Sequence, residues 1–338
     1  MQQLDVYAFG SALMDIQVQV EDTIFDELSI TKGNMYLTER SRQEEVLKKI
    51  LNSDQIALEQ LQQSAKTAAG GSAANTVYGI AQLGGKSGLC GKVAHDTFGD
   101  LYVRQMRESN VIFNTETEPG MTGTCIVLIS DDAQRTMLTC LGVSSEITYA
   151  DINEDLLKNS RYMYIEGYLL DSEVATQTIH KAIETAKKHN VLIALTASDA
   201  FCIQRHKKLM LDIIREDVAL LFANAEEARA LSDTDDTTEA IRALSAMGVD
   251  IAVTDGSNGS LVHINGTTTT IAPFPVQACD TTGAGDSYAA GLLFGLTNGR
   301  SVSESGNIAS RYSSRVVAQL GPRFSGDIRT ELKKEGVL

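Results

Sequence analysis

From residue 70 onward the apolar positions recur first at helical spacing and then in short unbroken runs. This alternation predicts a mainly parallel sheet covered by helices, an α/β core. The spacing predicts helices over 75–83, 97–109, 172–189, 207–215, 225–231 and 237–247, and strands over 86–93, 191–195, 219–223 and 250–254. The helix at 172–189 is the clearest, with Val174, Thr178, Ile179, Ala182, Ile183 and Ala186 on one stripe.

Two stretches have a period of two instead. In Asp15-Ile16-Gln17-Val18-Gln19-Val20-Glu21 apolar and polar residues strictly alternate, which describes a sheet with one covered and one wet face. Between Thr122 and Cys140 two β-rich runs flank the polar tip Ser130-Asp131-Asp132-Ala133, a hairpin candidate. Strands from these distant segments either pair into a small sheet that covers a cleft with its apolar face, or extend the edge of the main sheet. No internal repeat or low-complexity linker is visible, and four prolines in all argue against a floppy tether.

With 338 residues, the chain is a large domain with an insertion or two domains, and 43% hydrophobic residues are ample for a core. The net charge of −15 argues against nucleic acid and anionic membrane as partners. Any nucleotide site must then be locally positive, or built from backbone dipoles and a metal ion. Five cysteines (Cys90, Cys125, Cys140, Cys202, Cys279) at scattered spacings suit free thiols in a reducing cytoplasm rather than disulfides or a zinc knuckle. The start lacks a basic signal-peptide region, and no apolar run is long enough to span a membrane.

Chemistry concentrates in Asp280-Thr281-Thr282-Gly283-Ala284-Gly285-Asp286, which leads into a helix over 285–293. Unpaired N–H groups at a helix start hold a phosphate or developing oxyanion. A carboxylate beside such a cradle repels a bound anion but serves a hydroxyl awaiting deprotonation. An acid in a first turn is also ordinary helix-start chemistry. A second turn, Gly70-Gly71-Ser72-Ala73-Ala74-Asn75, opens the first core helix and suits recognition of ligand hydroxyls, or is a plain turn capped by Ser72. Asn224 and Glu227 follow a strand at the sheet's carboxyl end, and could hold a hydrated magnesium ion or simply start a helix. Asp255-Gly256-Ser257-Asn258-Gly259-Ser260 reads as a hairpin turn. Gly85-Lys86-Ser87 mimics the end of a phosphate-binding loop, but Ile80 stands where its first glycine belongs and the element order is reversed. Gly283 and Gly285 lack the third glycine of a dinucleotide fingerprint, since Tyr288 stands there.

Together these stretches resemble the PfkB, or ribokinase-like, family of carbohydrate and nucleoside kinases. Gly70 to Gly99 resembles its first signature, with Gly84-Gly85, Gly91 and Asp96-Thr97-Phe98-Gly99 in place, and Asp280 to Leu292 resembles the second. The resemblance implies an α/β core over 1–11, 42–112 and 143–338, and a discontinuous β lid over 12–41 and 113–142. It implies Asp286 as the base that takes the proton from the attacking hydroxyl, with Gly283, Ala284 and Gly285 as the anion hole. Asn224 and Glu227 fall on an N-x-x-E element that organises Mg2+ through water. Asp15, with Ser11, Gly70, Gly71, Ser72 and Asn75 around it, matches the acid that binds vicinal hydroxyls. Thr254, Gly256, Gly259 and Asn307 would line the ATP site, alongside Asn224. Arg135, on the hairpin, is the candidate cation that lid closure carries to the phosphates.

Within the family, Gly10 to Asp15, Thr122 to Cys125, Arg135-Thr136 and Tyr164 to Tyr168 look more like adenosine kinases than ribokinases or fructokinases. Leu13, Leu37, Cys125 and Tyr168 would line a purine ring. Met35 departs from the pattern, because adenosine kinases tend to have a polar residue there that reads the base edge. The expected acceptor is the 5'-hydroxyl of adenosine. The alternatives are a sugar, or a catalytically silent binding protein on the same fold. A monovalent cation is a further possible requirement, and the chain is expected to be a monomer or a homodimer paired through an exposed lid face.

Overall fold

The computed structural model describes residues 3–51, 66–113, 115, 117–132 and 134–338. In chain order its strands are β1 (Leu4–Phe9), β2 (Leu13–Gln19), β3 (Met35–Leu37), β4 (Lys66–Gly70), β5 (Ser87–Cys90), β6 (Gly123–Ile129), β7 (Arg135–Cys140), β8 (Ser160–Glu166), β9 (Leu192–Thr196), β10 (Leu220–Asn224), β11 (Asp250–Thr254), β12 (Ser260–Ile264) and β13 (Thr267–Ile271). The helices are α1 (Thr23–Leu28), α2 (Arg40–Leu51), α3 (Ser72–Leu83), α4 (Thr97–Glu108), α5 (Glu154–Lys158), α6 (Glu173–Lys188), α7 (Ala200–Asp217), α8 (Ala225–Ser232), α9 (Thr237–Ser245), α10 (Ala284–Thr297), α11 (Val302–Val317) and α12 (Ile328–Lys334).

Among the described residues eight strands form the main sheet, in the order β13-β12-β11-β10-β9-β8-β1-β5. It is parallel except for β12 and β13, which extend β11 as antiparallel neighbours. Both faces are covered. Val6, Ala8, Tyr164 and Phe222 pack with α3, α10 and α11, while Tyr7, Phe9, Ile165 and Val253 pack with α6 to α9. Two covered faces explain why the core strands read as unbroken apolar runs rather than alternating ones. The predicted helix at 207–215 is the second half of α7, whose backbone breaks at His206. Its first turn is held by Asp199, whose Oδ1 accepts from the Cys202 amide at 2.6 Å.

The period-two segments form a separate mixed sheet, β3-β7-β6-β2-β4, and not an edge of the main one. The hairpin is β6 and β7, and of its expected tip Ala133 lies outside the described residues. Two expectations need correction. β4, expected in the core, pairs antiparallel with β2, so the small sheet draws on the segment at 66–70 as well. In the alternating run itself, the face turned to the cleft is the one that carries Asp15 and not the Ile16 face that the period of two implied, whereas Leu13, Leu37 and Cys125 lie on the cleft side as the resemblance implied. The apolar side of β2 (Met14, Ile16) packs with Phe25, Leu28, Val46 and Leu47 of α1 and α2, and Gln43 donates from Nε2 to the Thr124 and Leu138 carbonyls at 3.0 and 2.8 Å. The side bearing Leu13 and Asp15 faces the cleft, together with Cys125, Arg135, Met137, Thr139, Met35 and Leu37 from the register-matched strands. The exposed lid face expected as a dimer surface is therefore covered by the chain's own helices. The parts of the expected lid and core boundaries at 1–2, 52–65, 114 and 116 lie outside the described residues.

Candidate active site

Parallel strands present their carboxyl ends on one edge of the sheet, and there the cleft opens. Glu166 ends β8, Thr196 ends β9, Asn224 ends β10 and Thr254 ends β11, and all four line a cavity of about 670 Å³. The small sheet roofs it, and the start of α10 closes one end.

Gly283 precedes α10 with φ 73°, and a Cβ there would lie 2.4 Å from the Pro322 carbonyl oxygen. Only glycine fits that turn. Of the expected anion-hole residues, Ala284 has its amide taken, donating to the Thr281 carbonyl at 3.3 Å, whereas among the described residues the amide N–H groups of Gly283, Gly285 and Asp286 find no protein acceptor. Three open donors at a helix start on the cavity wall are able to hold an anion. A Cβ on Gly285 would meet no atom within 4 Å, so the space over that peptide is open to a ligand. Asp286 is half-buried in the next position. Its Oδ1 accepts from Ser72 Oγ at 2.6 Å and its Oδ2 from Asn75 Nδ2 at 3.0 Å. Burial pushes its carboxyl above the ordinary range, while Ser72, Asn75, Arg135 and Arg323 pull it back. The second glycine turn thus aims the acid of the first, across more than 200 positions of sequence.

Arg135 reaches down from β7, its Nε 3.9 Å from the fully buried Asp280 Oδ1. Asp280 in turn accepts from the amides of Thr282 and Gly321, both at 2.8 Å. Asp15 is buried on β2 beneath the roof, and burial pushes its carboxyl up to about 7. Asn224 and Glu227 are locked together. Asn224 Oδ1 accepts from the Glu227 amide at 2.8 Å, and the Glu227 carboxylate accepts from the Asn224 amide at 2.9 Å and from its Nδ2 at 2.6 Å. This is a reciprocal cap on α8. Burial pushes Glu227 up to about 7 despite those bonds. Among the described residues no three His, Cys, Asp or Glu side chains group to hold a metal. A phosphate-bound, hydrated Mg2+ reached through water fits this pair, whereas direct ligation does not. Tyr168 lines the cavity with its hydroxyl bonded to Asp199 Oδ2 at 2.9 Å.

The cavity wall brings together Ser11, Leu13, Asp15, Met35, Leu37, Gly71, Ser72, Asn75, Cys125, Arg135, Tyr168, Asn224, Glu227, Thr254, Gly283, Ala284, Gly285 and Asp286. Gly70, Gly256, Gly259 and Asn307 are not on it. Gly70 sits behind Asp15, whose Oδ2 a Cβ would approach to 2.2 Å. Gly256 and Gly259 lie in the turn between β11 and β12, which follows the cavity-lining Thr254. Asn307 is exposed on α11 and accepts from Arg311 Nε at 2.9 Å.

Sequence reasoning missed two charged groups. Glu166 is buried with Oε1 accepting from the Ser11 amide at 2.6 Å and Oε2 from the Ala73 amide at 2.8 Å, tying both glycine-flanked turns to β8. Burial pushes it up to about 7. A lone acid ending the apolar run Tyr162-Met163-Tyr164-Ile165 was its signal. Arg323, from the loop after α11, donates from Nε to Asn75 Oδ1 at 2.9 Å and had no local signal.

A doubly covered α/β sheet with a β roof, a helix-start anion cradle and an aimed carboxylate define the ribokinase-like class. The model of the pfkB family of carbohydrate kinases matches residues 49–329, and the chain belongs to that family. Among solved structures, a probable sugar kinase from Rhizobium etli CFN 42 is 32% identical with a TM-score of 0.93, covering 100% of both chains. The adenosine kinase from Sinorhizobium meliloti is 34% identical with a TM-score of 0.92, covering 98% of this chain and 99% of that one. A 5-dehydro-2-deoxygluconokinase from Clostridium perfringens is 24% identical over 263 residues, 74% of this chain and 78% of that protein. The protein is a phosphotransferase with a hydroxyl acceptor, and its family implies ATP as the donor.

Proposed function

We propose that the protein transfers the γ-phosphoryl group of ATP to the 5'-hydroxyl of a nucleoside, adenosine first among them. The carrying observation for the chemistry is Asp286, aimed by Ser72 and Asn75 beside three open amides. Asp286 takes the hydroxyl proton as the oxygen attacks phosphorus, and the amides of Gly283, Gly285 and Asp286 with the Arg135 guanidinium stabilise the spreading charge. Mg2+, held through water by Asn224 and Glu227, would neutralise phosphate charge when bound. The start of α10 would hold the triphosphate, and Thr254, with Gly256, Gly259 and Asn307 beyond the cavity wall, would hold the purine end of ATP.

The acceptor reading rests on the cavity's far end. Leu37 of the roof and Phe201 of α7 both line it, and both are large apolar side chains left 45% and 38% exposed. With Met35, Met137 and Leu141 they form an apolar slot that suits a flat ring, while Asp15 is placed for ribose hydroxyls. The likeness to an adenosine kinase over nearly the whole chain supports this reading. Met35 favours a second reading, a sugar acceptor, since a thioether reads no base edge.

ADP release from ATP and Mg2+, measured across nucleosides and sugars, tests the proposal. Turnover with adenosine but not ribose or fructose is expected. The reverse result establishes the sugar reading, and no turnover with any acceptor establishes a silent binding protein. Asp286→Asn should lower kcat by about 10²–10⁴-fold while ATP binding persists. Undiminished turnover in that variant removes Asp286 as the base.

A further inference from the structure

The loop that follows α11 belongs to neither glycine motif, yet it braces both. Pro322 packs against Gly283, and the Gly321 amide donates to Asp280, which leads into the anion cradle. One residue further on, the Arg323 guanidinium lies over the Tyr78 ring, 4.7 Å from its centroid, with Nη2 3.6 Å from the Met106 sulfur. The loop is held around it by α3 and by a bond within the loop itself. Gln82 Nε2 donates to the Phe324 carbonyl at 2.9 Å, and Gln319 Nε2 donates to the Arg323 carbonyl at 2.6 Å. Among the described residues Arg323 has no carboxylate within ion-pair distance. Its directed bond is the one from Nε to Asn75 Oδ1.

That bond determines which way the Asn75 amide points. A side-chain amide has an accepting oxygen and a donating nitrogen. With its oxygen claimed by a permanent cation, Asn75 presents its NH2 to Asp286 Oδ2. The flipped amide would set a carbonyl against a carboxylate and two donors against each other, which repels at both ends. Arg323 does not line the cavity.

We infer that Arg323 is a positioning residue, which acts through Asn75 to fix the orientation of the Asp286 carboxylate. The inference rests on the reading of Asp286 as the base.

The test compares Arg323→Met, Arg323→Lys, Asn75→Ala and the double variant Arg323→Met/Asn75→Ala by steady-state kinetics on the full chain with ATP, Mg2+ and the best acceptor. Misplacing a reacting group by an ångström can cost about 10²-fold, so kcat of Arg323→Met should fall by about 10–10²-fold with KM for ATP unchanged within about twofold. A lysine can still donate to Asn75 Oδ1, so Arg323→Lys should recover part of that loss. The double variant should be no slower than Asn75→Ala alone. Wild-type kcat in Arg323→Met, or a loss that adds in full to that of Asn75→Ala, overturns the inference. Urea midpoints accompany each variant, and if Arg323→Met does not fold, Arg323→Lys decides between the same outcomes. An active Asp286→Asn overturns the base itself, whereas an inactive Asp286→Asn beside a fully active Arg323→Met overturns only the role of Arg323.

Discussion

Asp286 and Gln17 show how differently a polar side chain can be treated within one fold. Both oxygens of Asp286 are engaged by short side chains from α3, which leaves lone pairs for a substrate hydroxyl. Gln17 lies two residues beyond Asp15 on the same face of β2, opposite Val127, and is 8% exposed. Its Nε2 finds no hydrogen-bond partner among the described residues. A buried amide without a partner costs about 1–3 kcal/mol, so Gln17→Leu should raise stability by about that amount, read as a higher urea midpoint at unchanged slope. A lower midpoint would show that the amide is satisfied in solution. No catalytic loss is expected, since Gln17 is not on the cavity wall.

At the start of α10 two glycines two positions apart serve different ends. Gly283 is required by the fold, with positive φ and Pro322 against it. Gly285 has ordinary φ and open space where a Cβ would go. Gly283→Ala should therefore destabilise the protein, by more than the roughly 1 kcal/mol that a left-handed backbone costs an alanine. Gly285→Ala should keep the wild-type melting temperature and yet lose turnover, because its methyl occupies the space over the cradle. Intact turnover in Gly285→Ala would place the phosphate elsewhere. The small sheet follows the same logic of position. α1 and α2 bury one of its faces, so the other is free to carry Asp15 and Arg135 into the cleft.

Across the whole molecule carboxyls from several elements converge on one cavity, in a chain of net charge −15. Asp15, Glu166 and Glu227 are each pushed up to about 7 by burial, from ordinary values of 3.8, 4.5 and 4.5. A raised folded-state value means that the folded protein binds more protons than the unfolded chain between those limits. Their contribution is full below the ordinary carboxylate values and is lost as pH rises through about 7. The ligand-free protein should accordingly melt at a lower temperature at pH 8 than near pH 5.5, and Asp15→Asn and Glu227→Gln should each flatten that slope. A melting temperature that climbs steadily over the same range would contradict these shifts. Asp286 must be ionised to accept a proton, so the acid limb of kcat should lie above the ordinary carboxylate range.

The parts legible in the chain are those whose physics is local. The glycine turn that starts α10, the Asn224–Glu227 start of α8 and the helices at α3, α6 and α9 each depend on residues within one or two turns, so spacing alone reveals them. A period of two likewise announces the small sheet, but it says only that faces alternate. Which face meets the cleft was decided by α1 and α2, whose apolar side chains cover one side. β1, the strand on which β5 and β8 pair, and β4, joined to the small sheet, follow from pairing partners distant in sequence. Glu166 and Arg323 belong to the site only because the folded chain brings the ends of β8 and of the loop after α11 to the same short turn of α3. Gly256, Gly259 and Asn307 fall outside the cavity for the same reason, since distance from it is set by how β11 ends and how α11 lies. A residue's chemistry is written in its type, but the dielectric, partner and direction that make it useful come from segments remote in the chain.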